Sequence, residues 1–203
     1  MAGGRAYAGT VLRYSFQGAR MEHGDEVRRW RDYVSVLARV QLDPRLRGKV
    51  DLSGVVQQTV LEAYQKRPEF RAEHPAQELA WLRRILANNL ADELRKLAAG
   101  KRDLARERSL EAALAESSAR LEAWLAADQS SPSQQAERHE EAFLLAAALE
   151  GLPEAQREAL VLQHWHGWSL ARIAEHLGRS KAAVAGLIKR GLQQLRERLQ
   201  QPE

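Results

Sequence analysis

The stretch "GWSLARIAEHLGRSKAAVAGLIKRGLQQLRERL", Gly167 to Leu199, decides how the C-terminal part of this chain folds. Ser169 is placed to cap a short helix that buries Leu170, Ile173, Ala174 and Leu177. Gly178 permits the left-handed conformation that ends such a helix. Ser180 caps the next one, whose Val184, Leu187 and Ile188 face inward. Two short helices joined by a tight glycine turn can lay the second across a DNA major groove, although an ordinary helical hairpin has the same pattern. The second helix is bland where a DNA reader is usually polar: it carries Ala182, Ala183, Ala185 and Gly186. Its long donors are Lys181, Lys189 and Arg190, with Arg179 in the turn. Such a helix suits phosphate anchoring and close backbone approach, with alanine packing on a thymine methyl, more than rich base-edge readout.

Working outward, the chain has 203 residues, 44% of them hydrophobic and 29% charged. That is enough for one compact domain or two small ones with modest cores. Cysteine is absent, which removes a disulfide framework and a thiolate metal site. Met1, Arg5 and Arg13 around "AYAGTVL" make no signal-peptide pattern, and no apolar run approaches the ~20 residues of a membrane span. The expectation is a soluble, cytoplasmic protein with no membrane insertion. Net charge is only +4, but its distribution is uneven. Positions 83–108 hold eight basic and four acidic residues, and positions 178–198 hold six and one. Between them, positions 109–150 hold eight acidic residues against Arg120 and Arg138. Clustered basic charge marks polyanion binding, since each cation near a phosphate releases counterions; two solvated basic helix faces would look the same.

Strand signals are nearly absent, so the chain is expected to be all-α. Residues 1–20 read as a flexible arm. From Asp25, Val27, Trp30, Val34, Leu37, Ala38 and Val40 recur at helical spacing until Pro44 and Gly48 interrupt. Asp51 or Ser53 caps a second helix in which Val56, Val60, Leu61 and Tyr64 share a face. A third carries the stripe Leu79, Leu82, Leu86, Leu90, Leu94 and Leu97. A short helical pattern over Leu110 to Leu125 precedes the linker-like stretch Asp128 to Gln135. Pro153 fits the first turn of a further helix.

The third helix also carries chemistry. Trp81, Phe70 and His74 lie near Arg83, Arg84, Asn88 and Asn89. Aromatic faces stack on unpaired bases, amides bond their edges and arginines hold the backbone, which is what strand separation requires. Trp81 alone reads more simply as a core residue; the basic tail behind it favours the functional reading.

The ordered set "DLSGVVQQTVLEAYQ", Phe70, "WLRRILANNLADELRK", a linker and "LPEAQREALVLQHWHGWSLARIAEHLGRSKAAVAGLIKRGLQQLRERL" resembles a bacterial sigma factor. More narrowly it resembles the two-domain extracytoplasmic-function group of the sigma-70 family. The resemblance implies a region 2-like helical bundle and a region 4-like helix-turn-helix joined by a flexible linker. Its divisions would be an arm at 1–20, region 2 at 21–105, an acidic linker at 106–140 near the RNA exit path, and region 4 at 141–203. It implies a non-catalytic subunit, without cofactor or metal, that binds core RNA polymerase at clamp and flap and directs it to promoter DNA. An anti-sigma or other regulatory protein is a further expected partner, although no docking site for one is legible.

Carried over residue by residue, the resemblance implies clamp contact through Asp51, Val55, Gln57, Gln58 and Leu61. It implies −10 element capture by Phe70, Trp81, Arg84, Ile85, Asn88, Asn89, Arg95 and Lys96, with Asn88 holding an extruded base and Ile85 and Phe70 lining its pocket. It implies −35 contact by Arg179, Ser180, Lys181, Ala182, Lys189 and Arg190. Gly54 and Gln58 depart from the acidic residues usual on the clamp helix. Ala185, Gly186 and Leu187 depart from the basic or hydroxyl residues usual on the recognition helix.

An alternative is a helix-turn-helix regulator that binds duplex DNA independently of polymerase; it leaves the Trp81/Asn88 helix without a task. A helical adaptor would bind no DNA. An enzyme is disfavoured, because His164 and His166, two apart, face different directions on a helix and no carboxylate sits at ligand spacing. His164 is expected to line the core edge with Trp165 and Trp168. No phosphate-cradling glycine loop appears either.

Overall fold

The computed structural model describes residues 23–46, 48–70, 75–98, 104–126 and 135–200. Among the described residues there are eight α-helices and no strand. They are α1 (His23–Gln41), α2 (Leu52–Lys66), α3 (Pro75–Ala98), α4 (Leu104–Ala126), α5 (Gln135–Glu150), α6 (Glu154–His164), α7 (Leu170–His176) and α8 (Lys181–Gln200). The arm at 1–20 and most of Asp128 to Gln135 lie outside the described residues.

Helices α1, α2 and α3 form the first bundle. Trp30, Val34 and Leu37 of α1 meet Leu79, Leu82, Leu86 and Leu90 of α3, all fully buried. Asp51 caps α2, its carboxylate accepting from the Gly54 amide at 2.9 Å. A Cβ at Gly54 would strike that same carboxylate, so the glycine seats the cap. The inner face of α2 is Val55, Val56, Thr59 and Ala63. Leu61 and Tyr64, expected on the inner face, are each 50% exposed. The buried stripe is centred on Thr59, whose hydroxyl is satisfied by the Val55 carbonyl at 2.7 Å. Apolar residues therefore occupy both sides of this helix, and periodicity alone chose the wrong one.

Helices α5 to α8 form the second bundle. Pro153 stands one position earlier than expected, as the N-cap of α6 rather than inside its first turn. Ser169 caps α7 through the Arg172 amide at 3.3 Å, and Ser180 receives the Ala183 amide at 3.2 Å at the start of α8. Gly178, at φ +60°, supplies the left-handed turn between them. Ile173 and Ala174 are buried as expected, whereas Leu170 is exposed. His164 is largely exposed at the end of α6, beside the half-buried Trp165, and partial burial holds its imidazole below the ordinary histidine pKa.

The two bundles share one apolar core, and α5 is where they merge. Ala142, Phe143, Leu145, Ala146, Ala148 and Leu149 of α5 are all buried, facing α1, α4 and α8. Phe143 packs on Tyr33 of α1 at 5.2 Å between ring centroids, and the Arg29 guanidinium lies 4.3 Å above the Phe143 ring. The helical part of the 106–140 segment is α4, which packs on α3, α5 and α1. Leu114 is fully buried there, and the Ser118 hydroxyl joins the Tyr33 hydroxyl at 2.9 Å. Arg83 donates to both, at 3.2 Å and 3.0 Å. This satisfied buried network ties three helices together.

A second polar cluster lies where α1 meets α6. Arg39 donates to Glu154 at 2.7 Å and stands 3.6 Å from Glu158. Arg157 bridges the carboxylates of Glu150 and Glu154. Burial pushes the Glu150 carboxyl above its ordinary value, against the pull of Arg157 and Arg39. Burial acts on Glu154 in the same sense, but its hydrogen bond to Arg157 and the Arg39 charge outweigh it and leave that carboxyl below its ordinary value.

Truncating the fully buried Leu114 to alanine should cost about 2–5 kcal/mol in chemical denaturation. A loss under about 0.5 kcal/mol, typical of surface positions, would show that α4 is a passive tether.

Candidate nucleic-acid interface

The helix-turn-helix leaves one face of α8 clear. With Val184, Leu187 and Ile188 turned into the core, Lys181, Ala182, Ala185 and Lys189 share the outer side, and Arg179, Ser180 and Arg190 are exposed beside them. Among the described residues none of Arg179, Lys181, Lys189 and Arg190 forms an ion pair, so the surface carries uncompensated positive charge. The small residues have separate tasks. A Cβ on Gly186 would stand 3.2 Å from Nη1 of Arg190, whose guanidinium folds back over that glycine. Gly191 faces the other way, where a Cβ would come within 3.0 Å of Leu160 and 3.4 Å of Gln156. It allows the close crossing of α6 and α8. Ser180 is exposed, but its hydroxyl accepts the capping bond.

On α3 the structure separates the expected residues into two groups. Trp81 is half-buried, stacked on Phe70 at 4.2 Å with the planes 4° apart, and meets Trp30 edge-on at 5.6 Å. Glu78 holds the Trp30 indole N–H at 2.6 Å. Arg84 and Asn88 are exposed and follow Trp81 at three and seven residues, so an aromatic face, a cation and an amide line one side of the helix. Arg95 falls seven further along, paired with Asp92.

Two of the remaining −10 expectations, Ile85 and Asn89, are corrected. Ile85 is only 4% exposed and packs in the core, so it lines no base pocket. Asn89 turns toward α2, donating to Thr59 Oγ1 and Glu62 Oε2, both at 3.2 Å. It is a strap between helices. Arg83 likewise points inward, to Tyr33 and Ser118. Lys96 stays exposed at the end of α3, paired with Glu93 at 2.9 Å as Arg95 is with Asp92, and that hydrogen bond and charge raise its pKa. His74 lies outside the described residues.

The clamp-facing expectations divide similarly. Val55 is only 5% exposed, at the base of the groove between α2 and α3. The Asp51 carboxylate is occupied by the cap. Gln57, Gln58 and Leu61 are exposed, and Tyr64 joins them on the outer face of α2. Tyr64 was legible as an apolar residue but not as an outward one. A groove of about 750 Å³ runs between α2 and α3, lined by Gly54, Gln58, Asn89, Glu93 and Lys96 among others. Among the described residues no group of three or more His, Asp or Glu is placed to hold a metal ion.

Two family models match, in order along the chain. Sigma-70 region 2 covers residues 27–99, spanning α1 to α3, and Sigma-70, region 4, covers 142–195, spanning most of α5 to α8. Together they account for well over half of the sequence. The chain belongs to the sigma-70 family. It is a sigma factor: it binds core RNA polymerase and promoter DNA and directs transcription initiation. Members of this family are in general not enzymes. Helix α4 falls between the two matched segments.

A search of curated proteins gives no match. Among solved structures, the chain is similar to CnrH in complex with the cytosolic domain of CnrY, at 26% identity over 89% of this chain and 88% of that one, with a TM-score of 0.30. It is also similar to the sigma factor RpoE bound to the anti-sigma factor NepR from Bartonella quintana. There the identity is 18% over 89% and 98% of the two chains, with a TM-score of 0.31. Among the described residues no helix is long and apolar enough to cross a membrane.

Asn88→Ala should leave thermal stability within about 0.5 kcal/mol of the parent, as for an exposed position. Asn89→Ala should cost about 1 kcal/mol through its lost bonds to α2. Equal thermal shifts would contradict the division of labour between these neighbours.

Proposed function

We propose that this sigma factor is of the two-domain extracytoplasmic-function type, with an arm at 1–20, region 2 at 21–105, an acidic connecting segment at 106–140 and region 4 at 141–203. The observation that carries the reading is the presence, in one chain, of two separate exposed nucleic-acid faces of different chemistry. One is the aromatic, cationic and amide stripe Trp81, Arg84, Asn88; the other is the unpaired cations of α8. The first suits unpaired bases, which need stacking and edge bonds. The second suits duplex phosphates. A regulator working without polymerase needs only the second.

In this reading Trp81 with Phe70, Arg84 and Asn88 engage the melted −10 element, and Arg95 supports the backbone. Arg179, Lys181, Lys189 and Arg190 anchor the −35 element, with Ala182 and Ala185 facing base edges. Gln57, Gln58, Leu61 and Tyr64 meet the polymerase clamp, and region 4 meets the flap. The chain has no catalytic activity of its own, and it works in the cytoplasm, where its template and polymerase are. An anti-sigma protein is a further proposed partner, in keeping with the complexes in which the similar structures were solved.

Purified chain added to core polymerase should give run-off transcripts from a cognate promoter that core polymerase alone does not produce. Failure to produce any promoter-specific transcript across a genomic promoter library, together with failure to bind core, would overturn the reading.

A further inference from the structure

If Trp81 and Phe70 receive an unpaired −10 base, as in the reading on which this inference rests, something must hold their rings at a usable angle. A binding surface of this kind has to be right to within about 0.5 Å and 10–20°. The second side-chain torsion of tryptophan is broad, so a half-exposed ring such as Trp81 has no fixed angle of its own. Its neighbours supply one. Phe70 stacks on it at 4.2 Å with the planes 4° apart, and Trp30 meets it at 5.6 Å and 79°.

Both ends of this stack are braced from α1. At the Phe70 end, Arg67 donates to the Phe70 carbonyl at 3.3 Å and is itself fixed by Glu26 at 2.8 Å. One turn along α1 from Glu26, on the same face, the fully buried Trp30 stands behind Trp81. The Trp30 indole N–H donates to Glu78 Oε1 at 2.6 Å, and Glu78 Oε2 lies 3.4 Å from Arg29. The Glu78 side chain is only 14% exposed. A carboxylate so far out of water is a costly acceptor for one indole. A phenylalanine at position 30 would fill the core and need no acceptor at all. What the buried acceptor adds is direction: it fixes how Trp30 is turned, and the edge-on contact passes that angle to Trp81. We propose that Glu78 is a positioning residue for −10 capture. It holds Trp30, Trp30 sets Trp81, and the Phe70–Trp81 stack is aimed before DNA arrives. Glu78 acts through these rings and makes no DNA contact itself.

The test uses core polymerase with the full chain, and a cognate −10 element as a single-stranded oligonucleotide. Glu78→Leu, which has no acceptor, should weaken capture of that strand by about fivefold or more, the worth of one base–aromatic stack. It should leave binding to a −35 duplex at the parental value. Glu78→Gln keeps an oxygen for the indole and should restore most of the capture. Trp30→Phe removes the N–H but keeps a ring, so it should reproduce the loss, and adding Glu78→Leu to it should change little. In a Trp81→Ala chain Glu78→Leu should cost nothing further, because its effect passes through that ring. Parental capture by Glu78→Leu, or the same loss with and without Trp81, would overturn the proposal and leave Glu78 a brace of the fold. If Glu78→Leu loses −35 binding as well, it has misfolded, and Trp30→Phe with its rescued parent decides in its place: parental capture by Trp30→Phe overturns the proposal. Parental capture by Trp81→Ala would instead overturn the −10 reading itself.

Discussion

Phe143 lies against Tyr33 with the Arg29 guanidinium over its ring, and the rest of the architecture is organised around that contact. It turns α5 from the first helix of one bundle into a shared wall of two, buried on nearly every side. Once α5 is in place, α4 has a groove to fill, and Leu114, Ser117 and Ser118 become interior residues of a segment rich in exposed charge. The Tyr33 hydroxyl is the hinge of this arrangement. It sits in the apolar core and needs a partner, and Ser118 and Arg83 provide one. Regions 2 and 4 are thus held together in this chain by one shared core.

On α8 only Gly191 is small because of a close neighbour, while Ala182 and Ala185 lie exposed on its outer face. Gly191 is small because α6 crosses there, whereas a Cβ at Gly186 would meet only the movable end of the exposed Arg190 side chain. What remains outward is a sparse set of cations on a plain surface. Modest contact at each of two DNA sites suffices when both are tethered to one polymerase, because the second engagement is intramolecular and gains an effective concentration.

Much of the fold was legible because helical periodicity, serine caps and Gly178 act locally. Ser169, Ser180 and Gly178 do in the structure what their positions in the sequence require. The order of the two matched regions was legible through the resemblance of their motifs to the family. What was not legible depends on contacts distant in sequence. Asn88 and Asn89 are adjacent and chemically identical, and only the position of Thr59 and Glu62 on α2 makes the second a strap. Leu61 and Tyr64 repeat at apolar spacing like core residues, yet Val55, Thr59 and Ala63 take the inner side. Ile85 entered the base-pocket set through the family resemblance, although helical spacing places it with Leu82 and Leu86 in the core. The docking of α4 and α5 on α1 is a pairing of segments 80 to 110 residues apart, and no local pattern announces it.

The account stands or falls on whether this chain, together with polymerase, opens DNA at a defined place. Permanganate reactivity of unpaired thymines on a cognate promoter measures that directly. Core polymerase with the chain should expose thymines in the −10 element and just downstream, and neither component alone should do so. A promoter that stays fully paired with both components bound, or strand opening by core polymerase without the chain, would contradict it.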